Sequence, residues 1–188
     1  HLSIRRQRQM CIRDSRRTGC PQKRILTRAQ LLPLLDTADI FLPKKRHYWL
    51  ETNFTQYAHA HHEEDLRKVR AALSRLHPGQ ERVFDRVMAR RSGHRFNLML
   101  MRRDALQSYA SWLFPLLDTA EIDTTGYSAR DKRVHGFLAE RLLDVWLAQQ
   151  DYRVKELPVA HLERQHWGRK IAAFLLRKMG IKNDRTAR

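Results

Sequence analysis

The stretch from Gly126 to Leu147, GYSARDKRVHGFLAERLLDVWL, constrains this chain more than any other. Gly126-Tyr127-Ser128 signals a turn, and Ser128 with Asp131 three positions on has the pattern of a helix N-terminal cap. Beyond it Val134, Phe137, Leu138, Leu142, Val145 and Trp146 recur at the spacing of one helix face, which predicts a long helix laid on a core. Arg141 shares that spacing but is expected to turn away from the core. Glu140 and Asp144, four apart, fall on one side of the same helix. A helix that carries Arg133, His135, Glu140 and Arg141 among its apolar residues holds more ionisable groups than packing requires. Chemistry and core are therefore expected to meet on it.

The elements around it follow from caps and periodicity. Thr27 caps a short helix, Arg28 to Leu35, with Leu31, Leu32 and Leu35 inward. Asp39 to Leu42 reads as a buried strand stopped by Pro43. A helical stretch runs from Asn53 or Thr55 through His61. A second, Glu63 to Leu76, has Leu66, Val69, Leu73 and Leu76 on one face, and a third opens at Pro78 with Val83, Val87 and Met88 inward. Arg91 to His94 reads as a turn and Phe96 to Met101 as a strand. Asp104 to Leu117 is amphipathic through Leu106, Tyr109, Ala110, Leu113 and Leu117. Val154 to Val159 reads as a strand and Trp167 to Met179 as a last helix. Strands alternating with helices give an α/β class with helix in excess.

With 188 residues, 42% of them apolar, the chain has enough for one core. Its net charge of +17 attracts anions, whether nucleic acid, anionic lipid or a phosphorylated substrate, without choosing among them. Cys11 and Cys20 build neither a disulfide framework nor a zinc spacing. No apolar run approaches the length of about 20 residues that spans a bilayer, and the expected location is the cytoplasm. Arg5 to Ser15 (RRQRQMCIRDS) reads like a translated sequencing-library adapter. Residues 1–15 are therefore expected to lie outside the folded domain, in a chain that has lost its N-terminal part. The domain is then expected over residues 16–180, with 181–188 as a polar tail.

Several constellations offer chemistry. Glu140, in an otherwise apolar setting, is a candidate general base; a structural ion pair with Arg133 or Arg141 is the alternative. Asp131 is either a second working carboxylate or a helix cap. In Ser92-Gly93-His94-Arg95-Phe96-Asn97 the glycine lets backbone approach a ligand closely, and His94 and Asn97 present donors and acceptors for a polar ligand. The same six residues also make an ordinary turn. His59, His61 and His62 suggest a metal, but ring positions two apart on a helix face different sides, so no metal ligand is assigned. His59 and His62 are left as polar contacts to a ligand, or as solvated surface. Glu51-Thr52-Asn53 follows the aromatic pair Tyr48-Trp49, an arrangement in which rings stack on sugars and short polar groups read hydroxyls. Core packing of Trp49 is the competing reading. The basic helix Trp167 to Met179 suits either an interfacial contact with a membrane or packing on the sheet.

Four segments carry a resemblance: Leu42 to His62 (LPKKRHYWLETNFTQYAHAHH), Phe84 to Met101 (FDRVMARRSGHRFNLMLM), Gly126 to Leu147, and Glu156 to Trp167 (ELPVAHLERQHW). In order and spacing they resemble a family of bacterial capsular and exopolysaccharide biosynthesis glycosyltransferases, long catalogued as a domain of unknown function. The resemblance implies the helix-rich C-terminal part of a GT-A-like, Rossmann-related fold. It also implies transfer of a hexosyl unit, galactose or galactofuranose, from a nucleotide-sugar donor to a capsular, exopolysaccharide or lipopolysaccharide glycan. Family members carry an N-terminal Rossmann-like half ending in a His-Tyr-Arg-Arg-Tyr type motif; here Arg16-Arg17 is all that corresponds, so the chain alone is expected to turn over little. On this reading Glu140 and Asp131 are catalytic. Glu51, Asn53, His59, His62, His94, Asn97, Tyr127, Arg133 and Arg141 contact substrate. The acceptor is a polysaccharide or lipid-linked, which places the protein at the inner face of the plasma membrane. No Asp-x-Asp motif is present, so a donor-bound manganese or magnesium stays open. The alternative is a basic module, binding nucleic acid or a membrane surface without catalysis; against nucleic acid, the cations are spread along the chain and form no known reader motif.

Overall fold

The computed structural model describes residues 25–159. The N-terminal segment 1–15, the helix expected at Trp167 to Met179 and the tail lie outside the described residues. In chain order the elements are α1 (Arg28–Leu35), β1 (Ile40–Pro43), β2 (Arg46–His47), α2 (Asn53–Ala60), α3 (Glu63–Leu76), α4 (Glu81–Ala89), β3 (Ser92–Gly93) and β4 (Leu100–Met101). After these come α5 (Arg103–Thr119), a 3₁₀ turn (Asp131–Arg133), α6 (Val134–Leu147) and β5 (Val154–Leu157). The α/β class with helix in excess is the one the alternation of elements predicts.

β1 is the centre of a three-stranded sheet, order β4-β1-β5, antiparallel to β4 and parallel to β5. All four of its residues are buried. Successive side chains of a strand point to opposite faces: Ile40 and Leu42 enter the main core, while Phe41 packs with Ala38 and Leu157 in a smaller cluster that also takes Leu34 and Leu26. Asp39 locks the parallel pair. Its carboxylate accepts from the Arg153 backbone N–H at 3.0 Å, from Arg153 Nη2 at 3.0 Å and from Arg102 Nη1 at 3.3 Å. The main core lies among α3, α4, α5 and α6, around the fully buried Trp146, Tyr57, Phe84, Leu66, Leu116 and Leu138.

Caps account for the helix starts. Thr27 and Gln30 form a reciprocal capping box at α1, and Thr52 and Thr55 form one at α2. Three acids, Glu63, Glu64 and Asp65, occupy the first turn of α3, where the helix dipole favours them. The Ser128 hydroxyl accepts from the Asp131 N–H at 3.2 Å and donates to the Asp131 carboxylate at 2.7 Å, which turns the chain into α6.

Several expectations are corrected. Arg141 does not turn outward; it is only 4% exposed, because Gln56 and Tyr57 of α2 give its guanidinium a polar and an aromatic partner. The strand expected over 96–101 shrinks to Leu100–Met101. Phe96 (φ 88°) and Asn97 (φ 46°) adopt left-handed backbone, a turn held by Asn97 Nδ2 donating to the Gly136 carbonyl at 2.8 Å. The turn expected over 91–94 contains a strand, β3, paired antiparallel with β2. α4 starts at Glu81 and not at Pro78, since Gly79 at φ 94° makes a turn first. Leu32 and Leu35 of α1, Leu76 and Leu106 are exposed; on α5 it is Trp112 and Leu116 that go inward with Tyr109 and Leu113. β5 stops at Leu157, before Pro158.

Candidate functional site

The polar centre of the molecule is built where the paired strands β2 and β3 meet the last turns of α6. Asp144, on α6 and nearly fully buried, accepts from the His94 backbone N–H at 2.9 Å through Oδ2. Its Oδ1 lies 2.5 Å from His94 Nδ1. His94 Nε2 lies 3.2 Å from Glu156 Oε1 on β5. Each ring nitrogen of His94 thus faces a carboxylate oxygen, and carboxylates serve as acceptors for a ring N–H. Arg95 adds a buried cation, with Nη1 3.6 Å from Asp144 Oδ2. Buried charges are tolerable only when paired and hydrogen-bonded, and here every member of the cluster is.

Gly93 explains why the cluster closes so tightly. A Cβ at this position would stand 2.6 Å from Arg95 Nη1 and 2.6 Å from Asp144 Oδ2. Only a residue without a side chain lets β3 press onto the ion pair. The glycine signal in the sequence is real, but what approaches it is Arg95 and Asp144.

From this centre a continuous chain of hydrogen bonds runs along one side of α6. Arg95 Nη2 donates to Asn53 Oδ1, Arg95 Nη1 to the Glu140 carbonyl at 3.4 Å, and Arg95 Nε to the Tyr48 hydroxyl at 3.2 Å. The Tyr48 hydroxyl donates to Gln56 Oε1 at 3.4 Å. Gln56 Oε1 also accepts from Arg141 Nη2, and Arg141 Nη1 stands 3.8 Å from Glu140 Oε2. Burial, together with the charge of Arg95, pulls the Arg141 guanidinium down to about 10. The network thus joins Glu156 at one rim to Glu140 at the other through two arginines. Beside His94, a cleft of about 270 Å³ opens between Lys45, Arg90, Asp144 and Glu156. Lys45 Nζ is 3.6 Å from Glu156 Oε1.

The expected site residues therefore fall into separate groups. His94, Asn53, Glu140 and Arg141 belong to the network. Asn53 is buried and its bonds are internal: besides Arg95, its Nδ2 donates to the carbonyls of Val87 at 2.8 Å and Ser92 at 2.9 Å. Glu140 makes the ion pair with Arg141, with about a quarter of its side chain still open to solvent. A second group forms where α3 meets the 3₁₀ turn. His62 stacks on Tyr127 at 4.1 Å, its Nε2 lies 3.9 Å from Asp131 Oδ2, and the Tyr127 hydroxyl donates to Asp65 Oδ1 at 2.9 Å. Desolvation and the Asp65 carboxylate raise the Tyr127 hydroxyl to about 12. Neighbouring His61 stacks on Phe137 at 4.1 Å, and burial, with Arg130 and Arg141 nearby, lowers it to about 4. Arg133 lies over Phe137 at 5.6 Å. Glu51 and His59 pair with each other at 2.8 Å, and Asn97 is occupied by the Gly136 carbonyl. Trp49 is not packed in the core; it is 91% exposed.

Asp144, Glu156, Gln56 and Lys45 were not among the expected site residues, and Tyr48 and Arg95 stood only inside the motifs read for the Tyr48-Trp49 pair and the Ser92–Asn97 turn. Asp144 carried a signal, four residues from Glu140 on the same helix side; Glu156, Gln56 and Lys45 are identified only by their partners. Among the described residues no three His, Cys, Asp or Glu side chains are arranged to hold a metal ion. The cleft carboxylates are themselves bound to His94, so they leave a divalent ion no free ligand set there.

The profile of the family described as "Domain of unknown function (DUF4422)" matches residues 7–151. The chain belongs to this family. Among solved structures it is similar to the apo structure of the bifunctional glycosyltransferase WbbM, with 27% identity and a TM-score of 0.67. The match covers 72% of this chain and 26% of that one, so this DUF4422 chain spans about a quarter of the length of its structural relative. No curated protein matches it.

Proposed function

We propose that this chain transfers a hexosyl unit from a nucleotide sugar to a growing glycan. The observation that carries the reading is the similarity to WbbM, in sequence as well as in fold, over most of the chain. The network along α6 supports it from within. Sugar transfer needs a carboxylate to take the proton of the acceptor hydroxyl and positive charge to stabilise the departing diphosphate. Glu140, partly open and paired at 3.8 Å with Arg141, is the proposed base. Further positive charge lies at the other end of the network, where Lys45 and Arg90 flank the cleft beside His94. His94 is held by Asp144 and Glu156 in one orientation, so its position is preorganised for contact with substrate. Asp131, with His62 and Tyr127, is proposed to line the acceptor side with Arg133.

The finer assignments rest on the family resemblance: galactose or galactofuranose as the sugar, a capsular, exopolysaccharide or lipopolysaccharide acceptor, a GT-A-like donor fold and work at the inner face of the plasma membrane. Among the described residues no helix is long and apolar enough to cross a membrane. A manganese or magnesium ion with the donor diphosphate would have to find its ligands on residues other than the cleft carboxylates.

The test is a Glu140→Gln variant, which keeps the side chain's shape and removes the base. Release of nucleoside diphosphate should fall by about 10²–10⁴-fold with an unchanged thermal transition. Undiminished release takes Glu140 out of the base role.

A further inference from the structure

The loop between β2 and α2 presents an apolar tip that the proposed reaction does not use. Trp49 is 91% exposed and the adjacent Leu50 is 64% exposed. Side chains of this size are rarely left in water together without a partner. Cations surround the tip. Lys44, Lys45 and Arg46 precede it and are exposed, and the facing strand end supplies exposed Arg90 and Arg91. The two sides are fastened together: the Tyr48 N–H donates to the Arg91 carbonyl at 2.7 Å, Arg91 Nη1 donates to the Trp49 carbonyl at 3.5 Å, and β2 pairs with β3. The apolar tip and its basic collar are thus one structural unit.

A sugar platform is the first alternative, and the neighbouring side chains argue against it. Such a site needs short polar groups beside the ring to read hydroxyls. Glu51 is engaged by His59, Thr52 caps α2, and Asn53 is consumed by Arg95, Val87 and Ser92. What remains at the surface is an indole, a leucine and lysine and arginine side chains, which match the headgroup boundary of an anionic bilayer. We infer that the Trp49–Leu50 loop docks the protein peripherally on an anionic lipid surface, the ring and leucine inserting while Lys44, Arg46 and Arg91 meet the headgroups.

Docking would carry the Tyr48–Arg95–Gln56 network to the lipid surface, because Tyr48 immediately precedes the tip. The inference does not depend on the reaction, since vesicle binding is read without turnover.

The experiment is co-sedimentation of the full chain with phosphatidylcholine vesicles containing increasing phosphatidylglycerol. Binding should rise with the anionic fraction and fall with salt. Replacing Lys44 and Arg46 by Gln should weaken it about fivefold for each charge removed. The Trp49→Ala/Leu50→Ala variant, which alters only exposed side chains and should melt like wild type, should lose most of the remaining binding. It should also lose the quenching of tryptophan fluorescence by brominated lipid. Equal binding to neutral vesicles, no binding by wild type, or unchanged binding by both variants overturns the inference. So does a soluble acidic glycan that binds through Trp49 when vesicles do not.

Discussion

Replacing Gly93 by Ala tests the geometry of the polar centre more sharply than removing any charge. The new Cβ would lie 2.6 Å from Arg95 Nη1 and from Asp144 Oδ2, and 2.8 Å from Arg95 Nη2. Ordinary contacts to carbon sit at about 3.5 Å or more, so both partners must retreat by roughly 1 Å. The Arg95 guanidinium has little room to do so, being tied to Asn53, the His94 carbonyl and Tyr48. Overpacking costs about 1–3 kcal/mol, and weakening a buried hydrogen bond to a charged group adds about 1.5 kcal/mol. A destabilisation of about 3 kcal/mol lowers the Tm of a domain this size by roughly 6–12 °C. Gly136→Ala is the internal control. It lies on α6, where a Cβ meets only Asn97 Nδ2 at 4.0 Å. There alanine should raise stability by about 0.5 kcal/mol through helix propensity. Thermal melts of both variants by circular dichroism, backed by urea titration, read the contrast. If Gly93→Ala melts within about 2 °C of wild type, the close approach of β3 to the ion pair is wrong.

Further predictions concern titration and the core. Arg153, through side-chain and backbone bonds, holds the Asp39 carboxyl well below the usual carboxylate range. Its contribution to stability is present above the unfolded carboxylate pKa of about 3.9 and is lost as pH falls through the lower folded value. Asp39→Asn should therefore flatten the acid limb of stability against pH, and an unchanged limb refutes the assignment. His61 is lowered to about 4, mainly by burial. The unfolded chain takes up its proton near pH 6.5 while the folded chain does not, so stability falls as pH drops from about 6.5 towards 4. NMR should show the His61 ring shifts flat between pH 8 and 5; a midpoint near 6.5 contradicts the buried placement. Trp146→Ala, at the centre of the core beside Tyr109 and Tyr152, should cost about 3–5 kcal/mol, measured by urea unfolding.

What the sequence discloses is what local chemistry decides. The bounds of α1 and α3 follow from Thr27 with Gln30 and from the acidic first turn at Glu63. The burial of Ile40 to Leu42 follows from an unbroken apolar run before Pro43. β3 has two residues, Ser92 and Gly93, too few for any periodicity, and exists only because β2 is brought alongside it. Arg141 has the spacing of a core residue, and only its partners on α2 make burial of its charge tolerable. The same limit governs the site. His94, Asn53, Glu140 and Arg141 stand out as polar residues in apolar or glycine-marked settings. Asp144 and Glu156, 50 and 62 positions from His94, are joined to it by tertiary structure alone.

The claim that this chain transfers sugar is tested most directly on the acceptor. Incubating a molar excess of it with single hexosyl nucleotides and a bacterial polysaccharide oligomer, for long enough to accumulate the slow turnover expected of this chain, followed by mass spectrometry, should show the oligomer gaining one hexose with one donor and none with the Glu140→Gln variant. An oligomer unchanged with every hexosyl donor, galactose and galactofuranose nucleotides included, would contradict the account.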